Sequence, residues 1–389
     1  MEQGGRILVI DFSNFEDYPI GGYLSFAGNL VSAFGSRLAL VGITTDPGAP
    51  TGIWFKKNIR GETFDFFAFA RYKKTKTKHL IPDRLITFLL IKFYRSRIEQ
   101  IGIRNLFIQR QEVLLAIKTD LRNICFSFAG LENPLSISKY WYSQFMARPF
   151  EGFFFNKLHQ VQVVLARGDD RAITDLVERS NGALSQKYII KFPTRINTDI
   201  FKPLDKTDAR ARLGLPMEKT IVVTTGRLAK FKGWEFMLES FQEFCKTRPT
   251  SHFYFVGEGE DSNEIKAYIS ESNLENCIVL TGRKSQPEIA LYLNAADLYI
   301  MGSFKEGWST SLMEACACGV PACVTDFSSS MDIVIDGENG FVVKTRNKKL
   351  FADCMIKAIS LPRPVKNDHV LRYSTHRLKD DLLSHWKLL

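Results

Sequence analysis

The chain is built from short apolar runs. Each is closed by a loop of Gly, small or charged residues and followed by a stretch with helical spacing. Residues 6–12 (RILVIDF) form the first run. A run this short and this apolar suits a strand buried on both faces of a parallel sheet. A loop over 13–19 leads to Ile20-Gly21-Gly22, then helical spacing over 23–34 and a second strand over 37–44 (RLALVGIT). Strand, Gly loop, helix and strand is the opening unit of a doubly wound fold. Further strands are predicted over 62–70, 105–109, 122–130, 161–166 and 187–192. Residues 202–216 interrupt the series. They are polar, charged and marked by Pro203 and Pro216, a linker composition. A second series follows, with strands over 221–225, 252–256, 278–281 and 298–301. The pattern predicts an α/β protein of two domains, 1–203 and 204–373. The closing stretch 374–389 has Leu378, Leu382, Leu383 and Trp386 at helical spacing, which predicts a helix packing back toward the first domain.

Candidate chemistry gathers in the loops of the second series. Residues 226–233 (GRLAKFKG) follow one strand and precede a helix over 234–246. Arg227, Lys230 and Lys232 place three cations ahead of a helix N-terminus. A diphosphate suits such a loop, since Arg offers a two-pronged fork and Lys a point charge. After the strand at 298–301 comes Gly302-Ser303, then Glu306-Gly307-Trp308-Ser309-Thr310-Ser311-Leu312-Met313-Glu314. Ser309 or Thr310 is placed to cap a helix that Gly319 ends and Pro321 keeps from resuming. Glu306 then falls in the loop and Glu314 one to two turns into the helix. Backbone N–H groups over 307–311 suit a phosphate, and the two carboxylates suit sugar hydroxyls. An ordinary capping arrangement fits the same residues, so taken alone they leave both readings open.

Composition changes the picture in two ways. With 389 residues, 45% hydrophobic and 24% charged, there is chain enough for two cores. The net charge of +10 favours an anionic partner: nucleic acid, an anionic membrane face or a phosphorylated ligand. No aromatic-interleaved readout motif accompanies that charge, so a nucleic-acid partner is not expected. Much of the charge lies in the stretch from Arg71 to Arg97, with nine Lys/Arg (71, 73, 74, 76, 78, 84, 92, 95, 97) and one acid, Asp83. A helix starts near Asp83 after Pro82 and carries Leu85, Ile86, Phe88, Leu89, Leu90, Ile91 and Phe93. A basic segment beside an apolar helix fits an anionic membrane surface; a solvated loop before a buried helix fits equally. Seven Cys without regular spacing fit reduced thiols, and Cys316, Cys318 and Cys323 lack the second pair or nearby His of a zinc set. No metal site is expected. The N-terminus runs into a strand without a signal peptide, and no apolar run reaches the ~18 residues of a membrane span. The expected location is cytoplasmic, with peripheral attachment to the inner membrane face as an extension.

Arg227-x4-Lys232 after a Gly-ended strand, Glu306-x7-Glu314 and Gly319-Val320-Pro321 together resemble the nucleotide-sugar domain of retaining glycosyltransferases of family four. The resemblance covers residues 193–343 and includes Asn197-Thr198-Asp199-x-Phe201-x-Pro203 and Asn339-Gly340. The first half is similar mainly in strand order and in Gly21-Gly22. The resemblance implies the GT-B fold, two Rossmann-like doubly wound parallel-sheet domains with a cleft between them. It implies transfer of a sugar from a UDP or GDP sugar to a glycan or lipid-linked glycan acceptor, with retained configuration and no required cofactor or divalent metal. Cell-surface polysaccharide biosynthesis is the expected setting. Arg227 and Lys232 would hold the donor diphosphate and steady the leaving group. Glu306 would contact the donor sugar, with Gly307, Trp308, Ser309 and Thr310 presenting backbone N–H groups. Glu314 would accept from the ribose, Arg283 lies where the base is positioned, and Gly21 and Gly22 would close over the phosphate. The acceptor would be bound by the first domain. One feature departs from the family: a His expected near Ala129 is absent, and the first domain holds only His79 and His159. That contact is either missing or supplied by Glu132 or Asn133. Two other classes stay open, a non-catalytic nucleotide-sugar-binding partner and an epimerase or hydrolase of related fold.

Overall fold

The computed structural model describes residues 5–19, 21–74, 81–136, 141–185 and 188–389, with the side chains of 141 and 142 left aside. Ile20, Lys76, Lys78 and His79, named above, and Lys187, the first residue of the strand predicted over 187–192, lie outside the described residues. The chain divides into two units, Met1–Pro193 with His376–Leu389, and Thr194–Thr375.

The strands of the first unit are β1 (Ile7–Ile10), β2 (Leu38–Thr44), β3 (Trp54–Ile59), β4 (Glu62–Arg71), β5 (Asn105–Ile108), β6 (Asn123–Phe128), β7 (Val163–Ala166) and β8 (Ile189–Lys191). Among the described residues they form one sheet in the order β3-β4-β2-β1-β5-β6-β7-β8. All neighbours are parallel except β3 and β4. That antiparallel edge is absent from the sequence reading. It is joined by a two-residue turn, Arg60 (φ 53°) and Gly61 (φ 85°), both left-handed as a tight hairpin requires. Arg at the first turn position, where Asn or Asp is the usual signal, hides it.

Alternate residues of β1 enter opposite core layers. Leu8 and Ile10 pack with the helices Asp83–Glu99, Gln111–Ala116, Ala147–Leu158 and Asp170–Arg179. Ile7 and Val9 pack with the helix Gly22–Phe34, with Leu378 and Leu382 of the chain's last helix, Leu378–His385, and with Trp386 just after it. Trp386 is buried, and its Nε1 donates to Asn123 Oδ1 at 2.9 Å.

The second unit holds β9 (Thr220–Thr225), β10 (Ser251–Val256), β11 (Ile278–Gly282), β12 (Leu298–Met301), β13 (Ala322–Thr325) and β14 (Gly340–Val343). Their order is β11-β10-β9-β12-β13-β14, parallel throughout. Both units are Rossmann-like. Cys316, Cys318 and Cys323 are small buried residues of this unit.

Residues 202–216 are not a linker. They contain the helix Lys206–Leu213, capped by the Asp205 side chain and ended by Gly214 in the left-handed conformation. Arg210 on it is buried; it pairs with Asp297 at 2.6 Å and donates to the carbonyls of Ala295 and Met217. A buried, fully engaged cation reads as surface charge in sequence. The division therefore falls at Pro193, ten residues before 203. Ile196 and Phe201 are buried in the second unit, where Ile196 bridges to Ser374. Among the described residues no helix is long and apolar enough to cross a membrane.

Candidate active site

Strand order locates the site. From β9 the chain builds outward through β10 and β11, then returns to lay β12, β13 and β14 on the other side. The connections after β9 and β12 therefore leave toward opposite faces of the sheet, and a crevice opens at the carboxyl ends of these two strands. A small open pocket lies there, lined by Thr225, Gly226, Arg227, Lys232, Met301 and Ser303 among others.

The loop after β9 turns at Gly226, makes one 3-10 turn over Lys230–Lys232 and enters the helix Trp234–Cys245 through Gly233 (φ 69°). A Cβ at Gly233 would stand 1.9 Å from the carbonyl oxygen of Gly302, in the loop after β12. The two loops touch backbone to backbone, which Gly alone permits. Phe304 N–H also donates to Phe231 O at 2.8 Å. Arg346 braces the second loop: Nη2 donates to Gly302 O (2.9 Å) and Ser303 O (2.7 Å), with the guanidinium 3.4 Å from the Phe304 ring centroid. Burial lowers the pKa of Arg346. Sequence reading missed this residue because it belongs to no motif and acts only through the fold.

The contact of the loops brings two predicted site residues together. Lys232 Nζ donates to Glu306 Oε1 at 2.6 Å, and Ser303 Oγ donates to the same oxygen at 2.7 Å. Their side chains are 22% and 12% exposed, so the pair is largely screened from water. Arg227 lies on the same loop but turns to Glu260, which it meets with Nε and Nη2 at 2.8 Å each. Both partners are solvated, 63% and 50% exposed, and such pairs are worth about 1 kcal/mol or less.

Ser309 caps the helix Thr310–Ala317 by accepting from Leu312 N–H at 3.3 Å. Its own N–H is occupied by Ser329 Oγ, so it does not present a donor as expected. The side chain of Trp308 has a structural part, separate from the expected backbone donor. The indole is buried, donates to Met313 Sδ at 2.8 Å and meets the Tyr373 ring edge-on at 6.0 Å. It fixes the entry of the helix into the core. Among the described residues no partner occupies the N–H of Gly307 or Thr310, and these remain the donors at the helix start.

Glu314 lies in the second turn of this helix. No hydrogen bond or ion pair among the described residues reaches its carboxylate, and burial pushes its pKa up to about 8. A carboxyl group held in apolar surroundings without a partner is a conspicuous feature of a binding site.

Arg283 follows β11, the edge strand, and is exposed two strands away from the crevice loops. Gly21 and Gly22 belong to the first unit, at the start of the helix Gly22–Phe34, with open space where their Cβ atoms would be. In the loop where the family His is expected, Asn133 is buried and committed. Its Nδ2 donates to Ala147 O at 2.8 Å, and its Oδ1 accepts from Leu135 N–H at 3.0 Å. Asn133 is therefore unavailable as a substitute; Glu132 is half-buried on the same loop. Among the described residues no group of three or more His, Cys, Asp or Glu is arranged to hold a metal ion.

The fold and this crevice define an α/β protein of two Rossmann-like units with a pair of touching loops at the switch point of the second. This part of the chain, residues 205–376, matches the family model for glycosyl transferases group 1. It is 28% identical over 169 residues to the D-inositol 3-phosphate glycosyltransferase of Acidothermus cellulolyticus, 41% of this chain and 38% of that protein. It is 32% identical over 158 residues to the poly(glycerol-phosphate) alpha-glucosyltransferase of Bacillus subtilis, 40% of this chain and 23% of that protein. The chain thus matches well under half the length of these curated relatives. Among solved structures it resembles sucrose-phosphate synthase from Thermosynechococcus elongatus, with a TM-score of 0.75, 17% identity and 98% of each chain covered. It also resembles Anabaena HepE solved with UDP and glucose, with a TM-score of 0.72, 14% identity and 99% and 100% coverage. The fold is GT-B.

Proposed function

We propose that the protein is a retaining glycosyltransferase that moves a sugar from a nucleotide diphosphate sugar, of the UDP or GDP type, to a glycan or lipid-linked acceptor. The observation that carries this reading is the meeting of Lys232, Glu306 and the start of the helix Thr310–Ala317 at the β9–β12 switch point. Lys232 and Arg227 supply positive charge for a diphosphate, so the reading needs no divalent ion. Glu306 orders the sugar hydroxyls and Glu314 the ribose. In the transfer step the bond from the anomeric carbon to the diphosphate oxygen breaks as the acceptor oxygen bonds on the same face. The departing diphosphate takes the acceptor proton. Arg227, Lys232 and the N–H groups of Gly307 and Thr310 stabilise the charge that grows on it. Acceptor recognition falls to the first unit. We further assign the reaction to cell-surface polysaccharide synthesis at an anionic membrane face, a setting that the exposed apolar and basic positions of the helix Asp83–Glu99 would suit.

A thermal-shift series with UDP, GDP, ADP and their sugar conjugates tests the donor class, because a ligand of the native state raises Tm by mass action. One nucleotide is expected to stand out, and Glu314→Ala to abolish its shift. An unchanged shift in that variant would remove the site assignment. A donor that binds but is never turned over, on any acceptor, would favour a non-catalytic sugar-nucleotide binder.

Glu260 competes with the diphosphate for Arg227. Glu260→Gln is expected to tighten donor binding by up to about fivefold, the worth of an exposed ion pair. Calorimetric titration reads this directly; weaker binding would mean that Glu260 itself serves the ligand.

A further inference from the structure

The helices Asp83–Glu99 and Ala147–Leu158 lie in one layer of the first unit, with Gln111–Ala116 packed against both. Each turns one side to the sheet, through Thr87, Ile91 and Ile98 on the first and Phe154, Phe155 and Leu158 on the second. Their outward sides are apolar as well. Leu85, Leu89 and Phe93 are 47%, 53% and 74% exposed and stand four residues apart, which aligns them as a ridge. Phe145 and Met146, in the 3-10 turn Trp141–Met146 just before the second helix, and Phe153 on that helix are 76%, 57% and 70% exposed. Single exposed apolar side chains are ordinary; four on two helices of one layer, with two more on the turn that leads into the second, are a patch.

The charges around the patch decide what it fits. Its exposed polar positions include Lys92 and Arg148. Of the acids on these two helices, Asp83 is at the first turn. Glu99 and Glu151 are half-buried and engaged by Arg122 and Arg179. Several cations of the basic stretch are spent inside the unit. Arg71 donates to Ala49 O, Lys74 pairs with Asp17, Arg84 with Glu112, and Arg97 donates to Gly52 O. The basic run alone is therefore not the contact. A second copy of the chain on this face would bring like charge to like charge across a two-fold axis. An anionic surface meets no such cost.

We propose that this outward face seats on an anionic lipid bilayer. The six apolar side chains enter the headgroup boundary, and Lys92 and Arg148 meet lipid phosphates. The proposal deepens the reading of a membrane-linked acceptor and rests on it only for what the acceptor is. The test is flotation of the full chain with vesicles of phosphatidylglycerol and phosphatidylcholine, against phosphatidylcholine alone. Binding is expected to the anionic vesicles and to fall with salt. Leu89→Glu with Phe93→Glu, and separately Phe145→Glu with Phe153→Glu, are expected to lower partitioning at least about tenfold. Lys92→Glu with Arg148→Glu is expected to do so by about tenfold or more. Thermal unfolding of each variant checks that the fold is kept. Wild-type protein that floats with neither vesicle overturns the proposal, as do folded variants that float like wild type. A dimer that these substitutions dissolve, without vesicle binding, assigns the face to a second copy instead. Donor binding is read separately by thermal shift, so a failed donor reading leaves this result standing and the reverse.

Discussion

Lys232→Ala is expected to slow glycosyl transfer by about 10²- to 10³-fold, the scale set by removing one preorganised charge-stabilising group. On the proposed reaction the loss belongs mainly in the chemical step, because Lys232 would act where negative charge grows on the departing diphosphate. A single-turnover measurement at saturating donor separates that step from binding. The geometry of the pair adds a second expectation. Lys232 and Glu306 neutralise each other at 2.6 Å, so the donor must draw Lys232 toward its phosphates as Glu306 turns to the sugar. Removing Lys232 leaves Glu306 with Ser303 Oγ as its hydrogen-bond donor, and an unpaired, mostly buried carboxylate costs roughly 1–3 kcal/mol. Lys232→Ala should therefore lower Tm, while Lys232→Ala with Glu306→Ala should recover part of the loss and none of the activity. A double variant that regains transfer would exclude both residues from the reaction.

Glu314 should impose a pH dependence on stability that Glu314→Gln removes. Its carboxyl ionises near 4.5 in the unfolded chain and near 8 in the native one. Between those values the native state holds a proton that the unfolded state has released, so stability falls as pH rises. The contribution is whole below about pH 4.5 and lost by the time pH has passed 8. At about 1.4 kcal/mol per pH unit the ceiling is roughly 5 kcal/mol, reduced because the residue keeps some solvent contact. Melting curves of wild type and Glu314→Gln should diverge steadily from pH 5 to pH 8, with wild type falling relative to the variant. Parallel curves would mean that the carboxyl is not desolvated. Hydroxyl donors from a ribose favour the ionised form. Donor binding near pH 7 is then expected to release protons, seen as a buffer-dependent enthalpy in wild type and absent from Glu314→Gln.

What was legible in the sequence was whatever repeats a local rule. The buried strands read as short apolar runs because parallel strands are covered on both faces. Ser309 and Gly319 marked the ends of their helix through capping and turn chemistry. Arg227, Lys232, Glu306 and Glu314 stood out because they sit in strand-end loops or the first turns of helices. What was hidden depends on distant partners. Arg210 read as linker charge because Asp297, 87 positions away, neutralises it. Arg346 read as nothing because its targets are carbonyl oxygens of Gly302 and Ser303. Trp308 fell within a ligand-binding motif, yet its indole belongs to the core. The outward face of the first unit was half visible: its basic run was plain, but which cations are free depends on Ala49, Asp17, Glu112 and Gly52.

The contact of Gly233 with Gly302 has a consequence for exchanging parts between related proteins. The segment that supplies Lys232 and the segment that supplies Glu306 are 74 residues apart, yet their backbones meet where no side chain fits. A transplant of either segment alone brings a loop whose length was set against a different neighbour. A one-residue insertion in the first would push Gly302, and with it the Arg346 brace and Glu306, out of register. The two loops are thus a single unit of inheritance. A chimera intended to change the donor has to carry residues 226–233 and 302–309 together, with Arg346, or it will lose the Lys232–Glu306 pairing before it gains a new specificity.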